Sequence, residues 1–596
     1  MKKGGYMKRT IMEVFKETAD KYGDRVALKH KVGGQWKETT WKDYYKQVRV
    51  TARAFMALGL EKGKAISILG NNCPQWFISD LAGVFAGAVP GGIYTTNSPE
   101  QCQYIASHSE ANIAVVENAD QLAKFKKIKD QLPDLKAIVM MNGSDPDPMV
   151  YAWNDLPKQA EKVSDKELEE RIKAQKPDDC CTLIYTSGTT GNPKGVMISH
   201  DNITWTAQQV ISLIKADHED HIISYLPLSH IAEQVVSLHG PYLMGCTVWF
   251  AESLEKLGEN LTEVHPTVFV GVPRVWEKIQ AKMMAAGAQN PPLKKKIAAW
   301  ARKQGLAGGY AEQEGKPKPF FYGLANKLVF SKVREKLGLD RCRLFISTAA
   351  PIAMDTLEFF LSLGLPLTEV YGMSECTGPA TVSLPEPFKY RTGWAGPAVP
   401  GTTNKIAEDG EVLMKGRHVF KGYFKNDAAT AETLDKDGWL HSGDVGIIDD
   451  KGFLKITDRK KELIITAGGE NIPPAVLEAK LKTISAVANV VVIGDRRKFM
   501  TALFTLDPEK ISQEIQNAGS PAKNMAEAAK CPKFNAYIQN KLDDVNTTFA
   551  RVQAIKKFTI LPTEFSVEGD ELTPTMKLKR RIINTKYAKE IEAMYK

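Results

Sequence analysis

Tyr185-Thr186-Ser187-Gly188-Thr189-Thr190-Gly191-Asn192-Pro193-Lys194-Gly195 is the stretch around which the chain is organised. An apolar β-type run (Leu183, Ile184, Tyr185) leads in, and a second (Val196, Met197, Ile198) leads out. Asp201-Asn202 then opens a helical pattern at Ile203, Ala207, Val210, Ile211 and Ile214. The connection, residues 186–195, holds three glycines, four hydroxyl side chains and one lysine. Glycines let the backbone curl so that successive N–H groups point inward, and hydroxyls add donors. That concavity suits a polyphosphate, with Lys194 as mobile positive charge. A plain flexible hairpin with a surface lysine has no need of this density of glycine and hydroxyl.

A Walker P-loop fails on two counts. Lys194 follows Pro193 and precedes Gly195, which breaks the G-x-x-x-x-G-K-[ST] spacing. The loop also joins strand to strand, whereas a P-loop feeds a helix whose N-terminus holds the phosphates. The run instead resembles the signature loop of the adenylate-forming superfamily: acyl-CoA synthetases, luciferases and the adenylation domains of peptide synthetases. The resemblance implies nucleotide contacts from Thr186, Ser187, Gly188, Thr189, Thr190, Gly191, Asn192, Pro193 and Lys194. It gives Thr186 an added part in metal binding and catalysis.

At 596 residues the chain exceeds one compact core, so at least two domains are expected. A hydrophobic content of 43% with 25% charged residues is that of an ordinary globular enzyme. The net charge of +9 suits nucleotides or an acidic membrane surface, and no nucleic-acid-reading motif accompanies it. None of the eight cysteines (Cys73, Cys102, Cys180, Cys181, Cys246, Cys342, Cys376, Cys531) stands in C-x-x-C spacing. With no apolar signal after Met1-Lys2-Lys3, this predicts free thiols, no zinc and a reducing compartment. The most apolar stretch, Leu81 to Tyr94, is broken by Gly83, Gly87 and Pro90 and is shorter than the roughly 20 residues of a bilayer span. It reads as a buried helix and turn. The expected location is the cytoplasm, soluble or peripheral on the cytosolic face of a membrane, and not secreted.

Strand and helix patterns alternate along residues 11–141, which predicts a parallel α/β layer. Residues 142–179 are polar and read as a surface excursion. Residues 281–336 carry two basic helical patterns, around Leu293–Lys303 and Leu324–Leu337. Such a charge-studded helix is either a solvated face or one that lies on a membrane surface.

Further motifs follow in order. Ser347-Thr348-Ala349-Ala350-Pro351 and Tyr371-Gly372-Met373-Ser374-Glu375 each end an apolar run. Two such turns can flank a planar base, with the Tyr371 ring to stack on it, and Glu375 is a hard oxygen ligand for Mg²⁺. In His441-Ser442-Gly443-Asp444 the carboxylate offers two acceptors to a vicinal diol. The resemblance implies adenine contacts from Ala350, Tyr371, Gly372, Met373 and Ser374, metal contact from Glu375, and ribose contacts from Asp444 and Arg459. It places a hinge at Lys461 and a thioester-step face at Gly468-Gly469, with Gly469 near the nucleotide and pantetheine. Leu572-Thr573-Pro574-Thr575-Met576-Lys577-Leu578-Lys579-Arg580-Arg581 matches the superfamily's last motif, whose lysine by register is Lys577 rather than Lys579. Leu226-Pro227-Leu228-Ser229-His230 resembles the motif whose histidine lies between acyl and nucleotide sites, as gate or substrate contact. Trp276, in Gly271-Val272-Pro273-Arg274-Val275-Trp276, reads equally as core.

The resemblance spans roughly residues 20 to 590. Gly92-Ile93-Tyr94-Thr95-Thr96-Asn97-Ser98-Pro99-Glu100, Gln103-Tyr104 and Val116-Glu117-Asn118 look like the bubblegum group of long-chain-fatty-acid CoA ligases. The implied fold is a large multi-layer α/β N-terminal domain over 1–457, a hinge at 458–463 and a small mobile α+β C-terminal domain over 464–596. The implied activity is ATP- and Mg²⁺-dependent activation of a long-chain fatty acid as an acyl-adenylate, followed by thioester formation with coenzyme A. Lys577, Thr186, Glu375 and His230 are the implied catalytic set. The rivals are an adenylate former that serves a carrier protein or other acceptor, and a non-catalytic lipid-binding or uptake protein.

Overall fold

The computed structural model describes residues 7–186, 192–466, 471–573 and 576–596. The signature strands form a hairpin: Cys180–Thr186 pairs antiparallel with Lys194–Ser199, and Thr186 faces Lys194 across the pair. The loop therefore joins strand to strand. The helix after it, His200–Ile214, starts slightly ahead of the sequence pattern because Ser199 and Asn202 make a reciprocal capping box.

That hairpin belongs to an eight-stranded sheet. Its order is Gly422–Tyr423, Lys194–Ser199, Cys180–Thr186, Val89–Ile93, Ala65–Leu69, Ala111–Val116, Ala137–Met140 and Val150–Ala152. From Cys180–Thr186 to Val150–Ala152 every neighbour is parallel. The carboxyl ends of Cys180–Thr186 and Val89–Ile93 therefore lie at one edge, where parallel α/β sheets bind ligands. Two expectations need refinement. Leu81 to Tyr94 is the end of helix Pro74–Phe85 followed by the buried strand Val89–Ile93, and the excursion 142–179 adds an edge strand.

A second sheet orders His221–Ser224, Thr247–Phe250, Val26–Val32 and Gln35–Thr40, so the early hairpin is completed by strands about two hundred residues later. A third holds Val268–Gly271, Leu344–Thr348 and Leu367–Met373 in parallel, with Gly378–Val382 antiparallel. A fourth, antiparallel throughout, runs Thr402–Ile406, Glu411–Gly416, Leu440–Ile448 and Leu454–Arg459. The C-terminal part has its own sheet, Val487–Ile493, Met500–Leu506 and Ile555–Ile560, covered by helices that include Pro474–Leu481 and Pro532–Asn546. Its buried clusters draw only on residues from Ile464 onward, and the clusters of the larger part stop at Ile456. The fold is thus a large multi-layer α/β domain followed by a smaller domain of helices and sheet. No described helix is long and apolar enough to cross a membrane, and all eight cysteines are free thiols.

One buried group in helix Pro74–Phe85 gives a test of the packing. Asp80 is enclosed beside Tyr44, and its Oδ1 and the Tyr44 hydroxyl have no hydrogen-bond partner among the described residues. Burial pushes the Asp80 carboxyl up to about 8, so the native state keeps a proton that the unfolded chain releases near pH 4. Stability from this group is undiminished below that unfolded value and is lost as pH rises toward 8, at about 1.4 kcal/mol per pH unit. Asp80→Asn should therefore raise the melting temperature more at pH 8 than at pH 5. A shift equal at both values would show the carboxyl to be ionised in place.

Candidate active site

Lys194 begins the second signature strand and sends its ammonium over the Tyr423 ring, 4.7 Å from the centroid. The Tyr423 hydroxyl donates to Glu375 Oε1 at 2.7 Å. Glu375 sits in a short 3₁₀ turn, Ser374–Cys376, whose backbone is tied down by the Phe420 N–H donating to the Glu375 carbonyl at 2.9 Å. Lys194, Tyr423 and Glu375 thus form one cation–ring–carboxylate chain. Glu375 keeps Oε2 free of donors among the described residues. Thr186 lies at the strand end opposite Lys194, and Pro193 accepts from the Tyr104 hydroxyl at 3.2 Å. Asn192 is exposed beside it. Ser187, Gly188, Thr189, Thr190, Gly191 and Gly469 lie outside the described residues. Among the described residues, no three His, Cys, Asp or Glu side chains gather to hold a metal ion by themselves.

Tyr371, Asp444 and Arg459 meet on the other side. Asp444 and Arg459 are register partners in adjacent strands. Asp444 accepts from Arg459 Nε at 3.0 Å and, on its second oxygen, from the Tyr371 hydroxyl at 2.7 Å. Its backbone N–H donates to Ser442 Oγ at 3.0 Å. Thr348 pairs with Val370 across the parallel strands and donates to its carbonyl at 2.8 Å. This sets the Ala349-Ala350 turn, with Ala349 at φ +73°, next to Tyr371. Gly372 admits no side chain, since a Cβ there would stand 1.8 Å from the Gly378 carbonyl oxygen. Met373 and Ser374 continue into the turn that carries Glu375.

His230 caps the short helix Ile231–Glu233, accepting the Ala232 N–H on Nδ1 at 3.2 Å. Burial, reinforced by the nearby Lys577 cation, holds its imidazole down at about 4, so it is neutral at pH 7. The loop that carries it packs on strand Val89–Ile93 so closely that a Cβ on Gly92 would lie 2.7 Å from Ser229 Cα. Glu233 anchors the same segment: its Oε1 accepts from Ser224 and Ser237 hydroxyls at 2.7 Å and from Tyr225 N and Asn72 Nδ2 at 3.2 Å. Burial still pushes it up to about 7.

The C-terminal domain contributes Lys577. It lies in a turn held by the Lys577 N–H donating to Thr573 Oγ1 at 3.0 Å, and it keeps solvent access within the cleft. Its pKa is held below the ordinary lysine value, first by the surrounding protein and then by Arg459. Asp444, Glu375 and Glu462 act in the opposite sense. Lys579 instead pairs with Asp570 in its own domain. Arg580 is half-buried against Glu462 at 3.0 Å and against Glu478, which fastens the Lys577 turn to the segment before residue 464. Lys460, on the linker's other side, pairs with Asp409 and with Glu411 at 3.0 Å. Across the cleft, Arg274 faces Glu564 at 3.9 Å. Trp276, from the same helix, is core: it is buried and donates to the Ile346 carbonyl at 3.0 Å.

Tyr423, Glu233 and Arg580 have no role assigned by the sequence motifs. Glu233, an acid inside the apolar run after His230, carried a readable signal. Tyr423 had none, because its partner Glu375 is far away in sequence.

Residues 15–424 match the family model of AMP-binding enzymes, and residues 461–596 match that of the AMP-binding enzyme C-terminal domain. The chain is 45% identical to the long-chain-fatty-acid–CoA ligase ACSBG2 of Xenopus laevis, over 98% of this chain and 84% of that one. It is 42% identical to the ligase ACSBG1 of Bos taurus, over 98% and 85% respectively. Among solved structures it superposes on the A domain of a carboxylic acid reductase from Segniliparus rugosus, in complex with AMP and a co-purified carboxylic acid. That match has a TM-score of 0.74 at 18% identity and covers 98% and 94% of the two chains. It also superposes on the anthranilate CoA ligase AuaEII in complex with anthranoyl-AMP, with a TM-score of 0.70 at 18% identity and 97% coverage of both. Matched along nearly its whole length in sequence, the chain belongs to the AMP-binding enzyme family.

Proposed function

We propose that this protein joins a long-chain fatty acid to coenzyme A at the expense of ATP, as its 40–45% identical relatives are named to do. The carboxylate oxygen attacks the α-phosphorus, pyrophosphate departs, and an acyl-adenylate results. The CoA thiolate then attacks the acyl carbon and AMP departs. A free carboxylate is a poor acyl donor because oxide would have to leave, and the adenylate removes that obstacle.

The observation that carries the reading is the convergence of Lys577 with His230, Arg459, Asp444 and Glu375. A cation from the smaller domain stands among groups of the larger one that suit a nucleotide. In this reading Asp444 takes the ribose hydroxyls with Arg459 beside it. Tyr371 stacks on the adenine, between Ala350 and the Gly372-Met373-Ser374 backbone. The signature loop and Lys194 hold the phosphates. Lys577 offsets negative charge that builds between carboxylate and α-phosphate. Neutral His230 borders the acyl group and does not act as a strong base. The free oxygen of Glu375, with Thr186, would hold Mg²⁺, which would supply screening of the phosphate charge. Rotation about Lys461, within a linker at 458–463 between domains 1–457 and 464–596, would exchange Lys577 for the face bearing Gly469 before thiol attack. The separate buried cores of the two parts support that division. The location read with this function is the cytoplasm, with peripheral contact on a membrane face where the substrate resides.

Two measurements test the division of labour. Lys577→Ala should lower adenylate formation, read as fatty-acid-dependent pyrophosphate release, by on the order of a hundredfold or more. Thioester formation from supplied acyl-AMP should be spared, and equal loss of both steps would sink the scheme. The second is a pH profile. Lys577 acts as a cation, so adenylate formation should fall as pH rises through its depressed pKa, earlier than an ordinary lysine near about 10.4 would allow. The thioester step should lack this limb; finding it unchanged in Lys577→Ala would assign it to another group.

A further inference from the structure

The basic surplus of this protein is concentrated in one place. Residues 281–336 hold twelve Lys and Arg against three Glu and no Asp, a surplus equal to the whole chain's net charge of +9. The rest of the chain therefore balances to zero. The segment forms the long helix Pro292–Gln313, a connection, and a helical run from Tyr322 to Lys336.

Its outer face is apolar as well as basic. Leu293, Ile297 and Trp300 recur at helical spacing along one side of Pro292–Gln313. The Phe321 ring lies 6.4 Å from Trp300 and 5.1 Å from Phe320, so the connection extends the same surface. Phe320 is 93% exposed, Leu293 71% and Phe321 50%. This is not loose packing. On the inner side a Cβ at Gly305 would stand 2.0 Å from the Ser362 carbonyl oxygen, so the helix sits hard against Met354–Leu361. Lys294, Lys296 and Lys303 flank the apolar side chains and Lys295 projects from the other side of the helix; all four are exposed, and none pairs with a carboxylate among the described residues. Lys316 and Lys318, on the connection, pair with Glu314 and Glu312.

We propose that this face docks the protein on an anionic phospholipid surface. Apolar tips beside unpaired lysines match the boundary between acyl chains and phosphate headgroups, where rings insert and ammonium groups meet phosphates. Aliphatic Leu293 and Ile297 offer no stacking to a nucleic acid. Since the helix is too polar to span a bilayer, it would lie in the interface plane. Met354–Leu361, on which it packs, follows directly on the turn that holds Ala350. The docked face is thus one helix away from the nucleotide site. Delivery of a membrane-dissolved acid rests on the ligase reading; the docking itself does not.

The test is flotation of the full-length protein with vesicles of phosphatidylcholine alone, or with roughly a third phosphatidylserine. Flotation is expected only with the anionic vesicles, and raised salt should weaken it. The pair Phe320→Ser with Phe321→Ser, and the triple Lys294→Gln, Lys295→Gln, Lys296→Gln, should each weaken it by about tenfold or more. Both variants should still release pyrophosphate with a short, water-soluble acid at the unaltered rate, which certifies the fold. No flotation of the unaltered protein, equal flotation on neutral vesicles, or variants that float undiminished would overturn the proposal. So would heparin binding as tight as vesicle binding and indifferent to the phenylalanine pair, which would give the lysines to another polyanion. Flotation needs no turnover, so it stands or falls separately from the ligase reaction.

Discussion

The Asp444 carboxylate, donated to by the Tyr371 hydroxyl and Arg459 Nε, is the interaction on which the site's geometry depends. A buried carboxylate is costly unless its oxygens are hydrogen-bonded, and here the donors come from different parts of the chain. Tyr371 ends a strand of the third sheet; Arg459 ends the last strand of the fourth and leads into the linker. The carboxylate therefore registers two sheets and the start of the interdomain connection at one point. A hydrogen bond to a charged group contributes roughly 1.5–3 kcal/mol, and the half-exposed Arg459 lowers its share through solvent screening. The effect on position outweighs the effect on stability.

The C-terminal domain is held by a different balance. Its own core makes it a folding unit, and charged residues face it from the larger domain. Arg274 and Glu564 face each other at 3.9 Å, and Lys482 is depressed by burial with Glu277 as the largest opposing charge. Interfaces of this kind permit rigid-body movement. Within the domain, by contrast, Arg580 is clasped by Glu462 and Glu478. Removing either acid would leave part of a buried charge uncompensated, which is far more costly than losing a surface pair. The turn that carries Lys577 is therefore tied to the segment that holds Glu462.

The hairpin topology of the signature loop, the parallel layer before it and the order of the motifs were legible because each rests on local periodicity and turn chemistry. The reading failed where partners lie far apart. The early hairpin Val26–Thr40 depends on a distant strand, since Leu28 and Lys29 pair with Val248 and Trp249. Tyr423 links Lys194 to Glu375, residues that lie far from it and from each other along the chain. Lys460 pairs with Asp409 and Glu411, which lie about fifty residues before it.

By itself the sequence determined which residues can carry charge to a nucleotide, and that they sit in strand-ending turns, because glycine, hydroxyl and carboxylate chemistry is local. Only the tertiary structure decided which of them meet. Lys577 reaches the cleft while Lys579, two residues on, is neutralised by Asp570. Charges interact through space and burial, and neither can be read along a chain.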